Sequence, residues 1–158
     1  AFDMVTNLKP EFADAWYNKG IALEKLGKID EAILAYDQAT KLKPDFTAAW
    51  YNKGLNLGNL CRNEEALFAF DMVTNLKPEF ADAWYNKGIA LEKLGKIDET
   101  ILAYDQATKL KPDFAEVWHY KAIALKLRGR FQEADAAYEK AKAFGYKANP
   151  SSALSRPP

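Results

Sequence analysis

At intervals of 34 residues the chain sets a tyrosine beside an asparagine, at Tyr17 and Asn18, Tyr51 and Asn52, Tyr85 and Asn86, and the fourth interval brings His119 and Tyr120. A carboxamide donates and accepts hydrogen bonds at once, which suits it to grip the backbone of an extended polypeptide without demanding a sequence. Tyrosine adds flat apolar area with a polar tip, common chemistry for contact surfaces. This is chemistry of holding. The residues of turnover are solitary: His119 is the single histidine and Cys61 the single cysteine. One histidine makes no metal centre, and a cysteine without a paired histidine reads as a turn residue before it reads as a nucleophile. No glycine-rich turn ending in Lys-Thr or Lys-Ser cradles a phosphate, and no metal-ligand spacing occurs. The expectation is a protein that is not an enzyme, with no metal and no cofactor.

The elements that carry these residues follow from repetition. Residues 1–46 and 69–114 are identical except that Ala32 becomes Thr100, and this 68-residue unit splits in two because Trp16, Trp50, Trp84 and Trp118 recur every 34 residues, as do Pro10, Pro44, Pro78 and Pro112. Within one unit, Trp16, Gly20, Leu23 and Leu26 fall at helical intervals, and Ile29, Ala32, Ile33, Tyr36 and Ala39 do the same. Gly27 stops the first helix in the position that favours a left-handed cap, and Pro44 breaks the chain after the second. The result is an antiparallel helical hairpin. Neither helix buries its apolar stripe alone, so hairpins must stack into a solenoid.

Bulk composition excludes other classes. Lys plus Arg and Asp plus Glu both number 22, a balance without the field that draws proteins to nucleic acid or anionic lipid. No apolar run approaches the roughly 20 residues of a membrane helix. Neither nucleic acid nor membrane is an expected partner. A single cysteine fits a reducing compartment, and a cytoplasmic location is expected.

The run Trp16, Gly20, Ala32, Tyr36, Ala39 and Pro44 resembles the tetratricopeptide repeat, and the pattern recurs from Trp50, Trp84 and, more loosely, Trp118. The resemblance implies an all-α, right-handed α-solenoid of helical hairpins. Its units are residues 1–12, the second helix of an incomplete repeat; 13–46, 47–80 and 81–114; a divergent fourth at 115–146; and a tail at 147–158. Lysine replaces the usual leucine at Lys19, Lys53, Lys87 and Lys121, where the stems can pack while the ammonium groups reach water. Gly20 and Ala32 are expected where paired helices cross. Thr100, at the alanine place, should crowd Gly88 or find a carbonyl one turn back. Cys61 stands where the other units carry Gly27, Gly95 and Gly129, which makes that turn the expected soft point.

In the family resembled, the face of the first helix opposite the hairpin partner lines a concave groove for extended peptides. Here that groove comprises Asp14, Tyr17, Asn18 and Ile21; Tyr51, Asn52 and Leu55; Asp82, Tyr85, Asn86 and Ile89; and His119 and Tyr120, with Glu24 and Lys25 beside the first set. Asp14, Asp82 and Glu116 on this wall set it apart from relatives that clamp acidic chaperone tails with lysine and arginine. The implied function is a non-catalytic interaction scaffold holding an extended segment of another protein. A second reading has the asparagines hydrogen-bonding between hairpins instead of to a ligand. Phe12, Phe46, Phe80 and Phe114 read as core, stapled ahead of a helix start. Residues 1–9 repeat a second helix without its first, so Phe2, Val5 and Leu8 are expected to pack on another copy as a homodimer; self-association of the solenoid ends into oligomers or fibres is the alternative function.

Overall fold

The computed structural model describes the backbone of residues 9–147 and the side chains of residues 12–147. The helical period resolves, among the described residues, into eight helices: α1 (Lys9–Lys25), α2 (Ile29–Leu42), α3 (Thr47–Asn59), α4 (Asn63–Leu76), α5 (Ala81–Lys93), α6 (Ile97–Leu110), α7 (Ala115–Leu127) and α8 (Phe131–Ala143). Successive pairs form hairpins 1 to 4. Each helix packs mainly on its neighbours in the chain, with a lesser contact between α3 and α5, the quasi-linear pattern of a solenoid. No described helix is long and apolar enough to cross a membrane. Phe2, Val5 and Leu8 and the tail beyond Lys147 lie outside the described residues.

The turn inside each hairpin is a Schellman motif. In hairpin 1, Lys28 N–H donates to Leu23 O and Gly27 N–H to Glu24 O, both at 2.9 Å, with Gly27 at φ 72°. This pair of bonds satisfies carbonyls that the last helical turn leaves open. Cys61 takes the same place at φ 58°, and the bonds are kept: Arg62 N–H to Leu57 O and Cys61 N–H to Gly58 O, again 2.9 Å each. The expected strain is therefore present without a change of turn geometry. Between hairpins the proline carbonyl becomes an acceptor, for Trp50 Nε1 on Pro44 O at 2.9 Å and for Trp84 and Trp118 on Pro78 O and Pro112 O at 2.8 Å.

Close approach inside a hairpin falls between glycine and an aromatic ring, a correction to the glycine–alanine crossing expected from sequence. A Cβ on Gly20 would come to 2.5 Å from Tyr36 Cε1, and one on Gly54 to 2.8 Å from Phe70 Cε1; Gly88 faces Tyr104 in the same way. Ala32 and Ala66 are fully buried nearby. Thr100, also fully buried, donates from Oγ1 to Lys96 O at 2.9 Å, the carbonyl one turn back.

Three further expectations are corrected. Leu26, placed in the buried stripe, is 72% exposed because α1 ends at Lys25 and Leu26 caps it. Phe12, placed in the core, is 57% exposed within α1, which begins at Lys9 with Pro10 in its first turn. The lysines do more than reach water. Lys53, Lys87 and Lys121 pair with Asp37, Asp71 and Asp105 of the preceding hairpin at 2.5, 2.8 and 2.6 Å. Each ammonium also lies over its own hairpin's indole, 5.0 Å from the ring of Trp50, 5.0 Å from Trp84 and 4.7 Å from Trp118.

Candidate functional site: the groove of the first helices

The expected groove residues lie on α1, α3, α5 and α7, each one hairpin apart. Tyr17, Tyr51 and Tyr85 are half-buried because the phenylalanine that opens the next hairpin packs on each ring: Phe46 at 4.8 Å from Tyr17, Phe80 at 4.8 Å from Tyr51, and Phe114 at 5.3 Å from Tyr85. The tyrosine hydroxyl is then left at the hairpin boundary, where the next asparagine meets it. Asn52 Nδ2 donates to Tyr17 Oη at 3.3 Å, and Asn86 Nδ2 to Tyr51 Oη at 3.1 Å and to Asp82 O at 2.8 Å. At the fourth step Tyr120 replaces asparagine and lays its ring against Tyr85, 6.1 Å between centroids.

The amide nitrogens of Asn52 and Asn86 thus tie hairpins together. Their Oδ1 atoms remain as acceptors on the wall, since an amide carries both functions. Asp14 and Asn18 are exposed, and Ile21, Leu55, Asp82, Ile89, His119 and Tyr120 are half-buried. The wall is a row of half-covered apolar side chains with polar tips. Burial and then Asp82 raise the Tyr51 hydroxyl above its ordinary pKa, and burial and then Glu116 do the same for Tyr85, so both stay protonated as donors.

Glu24, which its helical phase sets beside the groove, faces the other way. Glu24 accepts a hydrogen bond from Tyr36 Oη, and Glu92 accepts one from Tyr104 Oη at 3.1 Å. Both carboxylates therefore turn into the hairpin. Burial is the main cause of a strongly raised Tyr104 pKa, with the Glu92 charge and hydrogen bond next. The sequence carries a partial signal of this pairing: hairpin 2 lacks both groups, with Phe70 for the tyrosine and Gly58 for the glutamate, whereas hairpin 4 keeps Tyr138 but has Lys126 in the glutamate's place, its ammonium 4.6 Å from the ring.

His119 lies in the last described hairpin. Tyr146 stacks on it with ring centroids 4.0 Å apart, taking the role that Phe46, Phe80 and Phe114 play for the tyrosines. Gly145 at φ 88° turns the chain for this, with Tyr146 N–H donating to Ala141 O at 2.8 Å. Among the described residues no group of three or more His, Cys, Asp or Glu is arranged to hold a metal.

Stacked helical hairpins with a repeating side-chain wall define a protein-interaction scaffold, a fold class that is generally non-catalytic. The tetratricopeptide repeat family model matches residues 13–46 and 81–114, which are hairpins 1 and 3. Among solved structures, one of MamA AMB-1 superposes with a TM-score of 0.80 and 25% identity over 92% of this chain and 79% of that one. A crystal structure of MamA gives 0.81 and 23% over 91% and 84%. MamA 41-end from Desulfovibrio magneticus RS-1 gives 0.78 and 23% over 91% and 78%. These are likenesses of fold. No curated protein matches the sequence.

Proposed function

We propose that the groove formed by α1, α3, α5 and α7 holds an extended segment of another protein. The observation that carries this reading is the periodic wall itself: Tyr17, Tyr51 and Tyr85 with Asn52 and Asn86 in one register, half-exposed, with Tyr17 and Tyr51 held by bonds between hairpins and Tyr85 packed on Phe114. Side chains whose rotamers are already locked lose little entropy on contact, which favours a peptide surface. The free Oδ1 acceptors suit backbone N–H groups of a strand-like ligand. An assembly running end to end is less favoured because Tyr146 already occupies the ring site on His119 that a following hairpin would use.

The test is capture of peptides from a random displayed library on the immobilised chain, followed by titration of the selected peptides. Ile21→Ser with Ile89→Ser should weaken them at least about ten-fold, the loss of two apolar contacts, while far-UV circular dichroism stays that of the parent. Peptides that ignore this pair, and respond instead to Leu34→Ser and Leu102→Ser on the exposed second helices, would overturn the reading.

A further inference from the structure

Hairpin 2 departs from its neighbours on the groove side wherever they carry charge. Ala48 stands in the place of Asp14, Asp82 and Glu116; Gly58 in the place of Glu24 and Glu92; Asn59 in the place of Lys25 and Lys93. In hairpins 1 and 3 the tyrosine hydroxyl and the glutamate it bonds fill the space between the paired helices. Hairpin 2 has neither group, and a cavity of about 190 Å³ opens there, with Ala66 and Phe70 as its floor and Leu55, Gly58 and Ile89 among its walls. A cavity of about 150 Å³ lined by apolar side chains is enough to take benzene.

We propose that this cavity is the anchor pocket of the groove and takes one uncharged, leucine-sized side chain of the bound segment. The proposal rests on the groove reading above. Charge decides the chemistry of the occupant. The lining holds no carboxylate, so an inserted cationic side chain would lose water without gaining a counter-ion. An acidic side chain would meet one cation, Lys93, which is solvent-exposed and so a weak counter-ion, and would still leave its hydration behind on entering the apolar floor. The Tyr36–Glu24 and Tyr104–Glu92 pairs close the equivalent spaces of hairpins 1 and 3, and in hairpin 4 Tyr138 is kept with Lys126 over its ring, so anchoring at hairpin 2 fixes the register of an otherwise sequence-tolerant ligand.

Cys61 lines the same cavity, is exposed, and is the chain's single cysteine, so its thiol reports on the pocket. The protein is equilibrated separately with isopentyl, hydroxyethyl and aminoethyl mixed disulfides under graded dithiothreitol, which cyclises on oxidation and leaves no adduct of its own, and the adducts are quantified by intact mass. The isopentyl adduct should survive about ten-fold more reductant than the other two, reflecting burial of its branched chain. The variant carrying Gly58→Glu and Phe70→Tyr, which imports the arrangement of hairpins 1 and 3, should melt like the parent and lose the preference. If that variant is poorly folded, Gly58→Leu serves in its place, since an added Cβ there meets nothing within 4 Å. Equal retention of all three adducts in the parent, or an unchanged preference in the folded variants, would overturn the pocket. Neither result touches peptide capture by the groove, so the two readings fail separately.

Discussion

The Tyr146 ring lies face-on against His119, with centroids 4.0 Å apart and planes 17° from parallel. In the last described hairpin the pair occupies the position where Tyr17, Tyr51 and Tyr85 each receive a phenylalanine from the next hairpin. Burial lowers the His119 pKa from its ordinary value, with Glu116 pulling weakly the other way. Against the imidazole lie the rings of Tyr120, Tyr138 and Tyr146. The unfolded chain then binds the proton more readily than the folded one, so the His119 contribution is fully present above about pH 6.5 and is lost as pH falls below it. Melting curves between pH 8 and pH 5 should show a smaller acid-side loss in His119→Phe than in the parent. A histidine resonance titrating at or above the free value would contradict this.

Cys61→Gly should stabilise the protein. A non-glycine residue at φ 58° pays for its Cβ against the carbonyl, about 1 kcal/mol or somewhat more, and glycine's greater freedom in the unfolded chain offsets part of the gain. A net increase of about 0.5–1 kcal/mol is expected, read as a higher urea midpoint with an unchanged slope. Because the Schellman bonds of this turn are already in place, a gain larger than that would point to strain outside the turn.

The asparagine ladder is expected to contribute to stability. Asn86→Ala removes bonds to Tyr51 Oη and Asp82 O and should cost about 0.5–1.5 kcal/mol per bond. Tyr51→Phe leaves the ring packed against Phe80 and removes only the hydroxyl. A double-mutant cycle between the two should return a coupling of about 0.5 kcal/mol or more. Additive effects would mean that the inter-hairpin bond carries no net free energy.

The inter-hairpin ion pairs invite a parallel test. Lys53 and Asp37 meet at 2.5 Å with side chains 16% and 29% exposed, less open to solvent than an ordinary surface pair. Asp37→Asn should destabilise by about 1 kcal/mol, more than the fraction of that expected from exposed pairs such as Lys28 and Glu31. Salt should narrow the difference between Glu31→Gln and the parent sooner than that between Asp37→Asn and the parent.

Helices and turns were legible in the sequence because each depends on residues within one 34-residue unit. Trp16, Gly27 and Pro44 act locally, and their spacing is a direct image of the hairpin. What lay between units was harder to read. A lysine stem lying on an indole looks the same in sequence whether its ammonium meets water or Asp37, and the partner sits 16 residues back on another hairpin. The inward turn of Glu24 depends on a hydroxyl across the hairpin; a helical wheel assigns it outward. Phe12 looked like Phe46 and Phe80 because local sequence is copied, whereas exposure is set by what packs on the copy.

One chemical change should have opposite effects at two glycines. Gly88 lies against Tyr104, and an added Cβ would overlap the ring, which is itself fully buried and cannot swing aside. Gly88→Ala should therefore destabilise by about 1–3 kcal/mol, the cost of overpacking. Gly58 lies near the end of α3 with nothing within 4 Å of an added Cβ. There alanine removes only glycine's backbone freedom, and Gly58→Ala should stabilise by about 0.5–1 kcal/mol. The two variants differ from the parent by one methyl group each, so unfolded-state effects largely cancel in the comparison. Equal signs in chemical denaturation would show that the ring contact, not the helix backbone, has been misjudged.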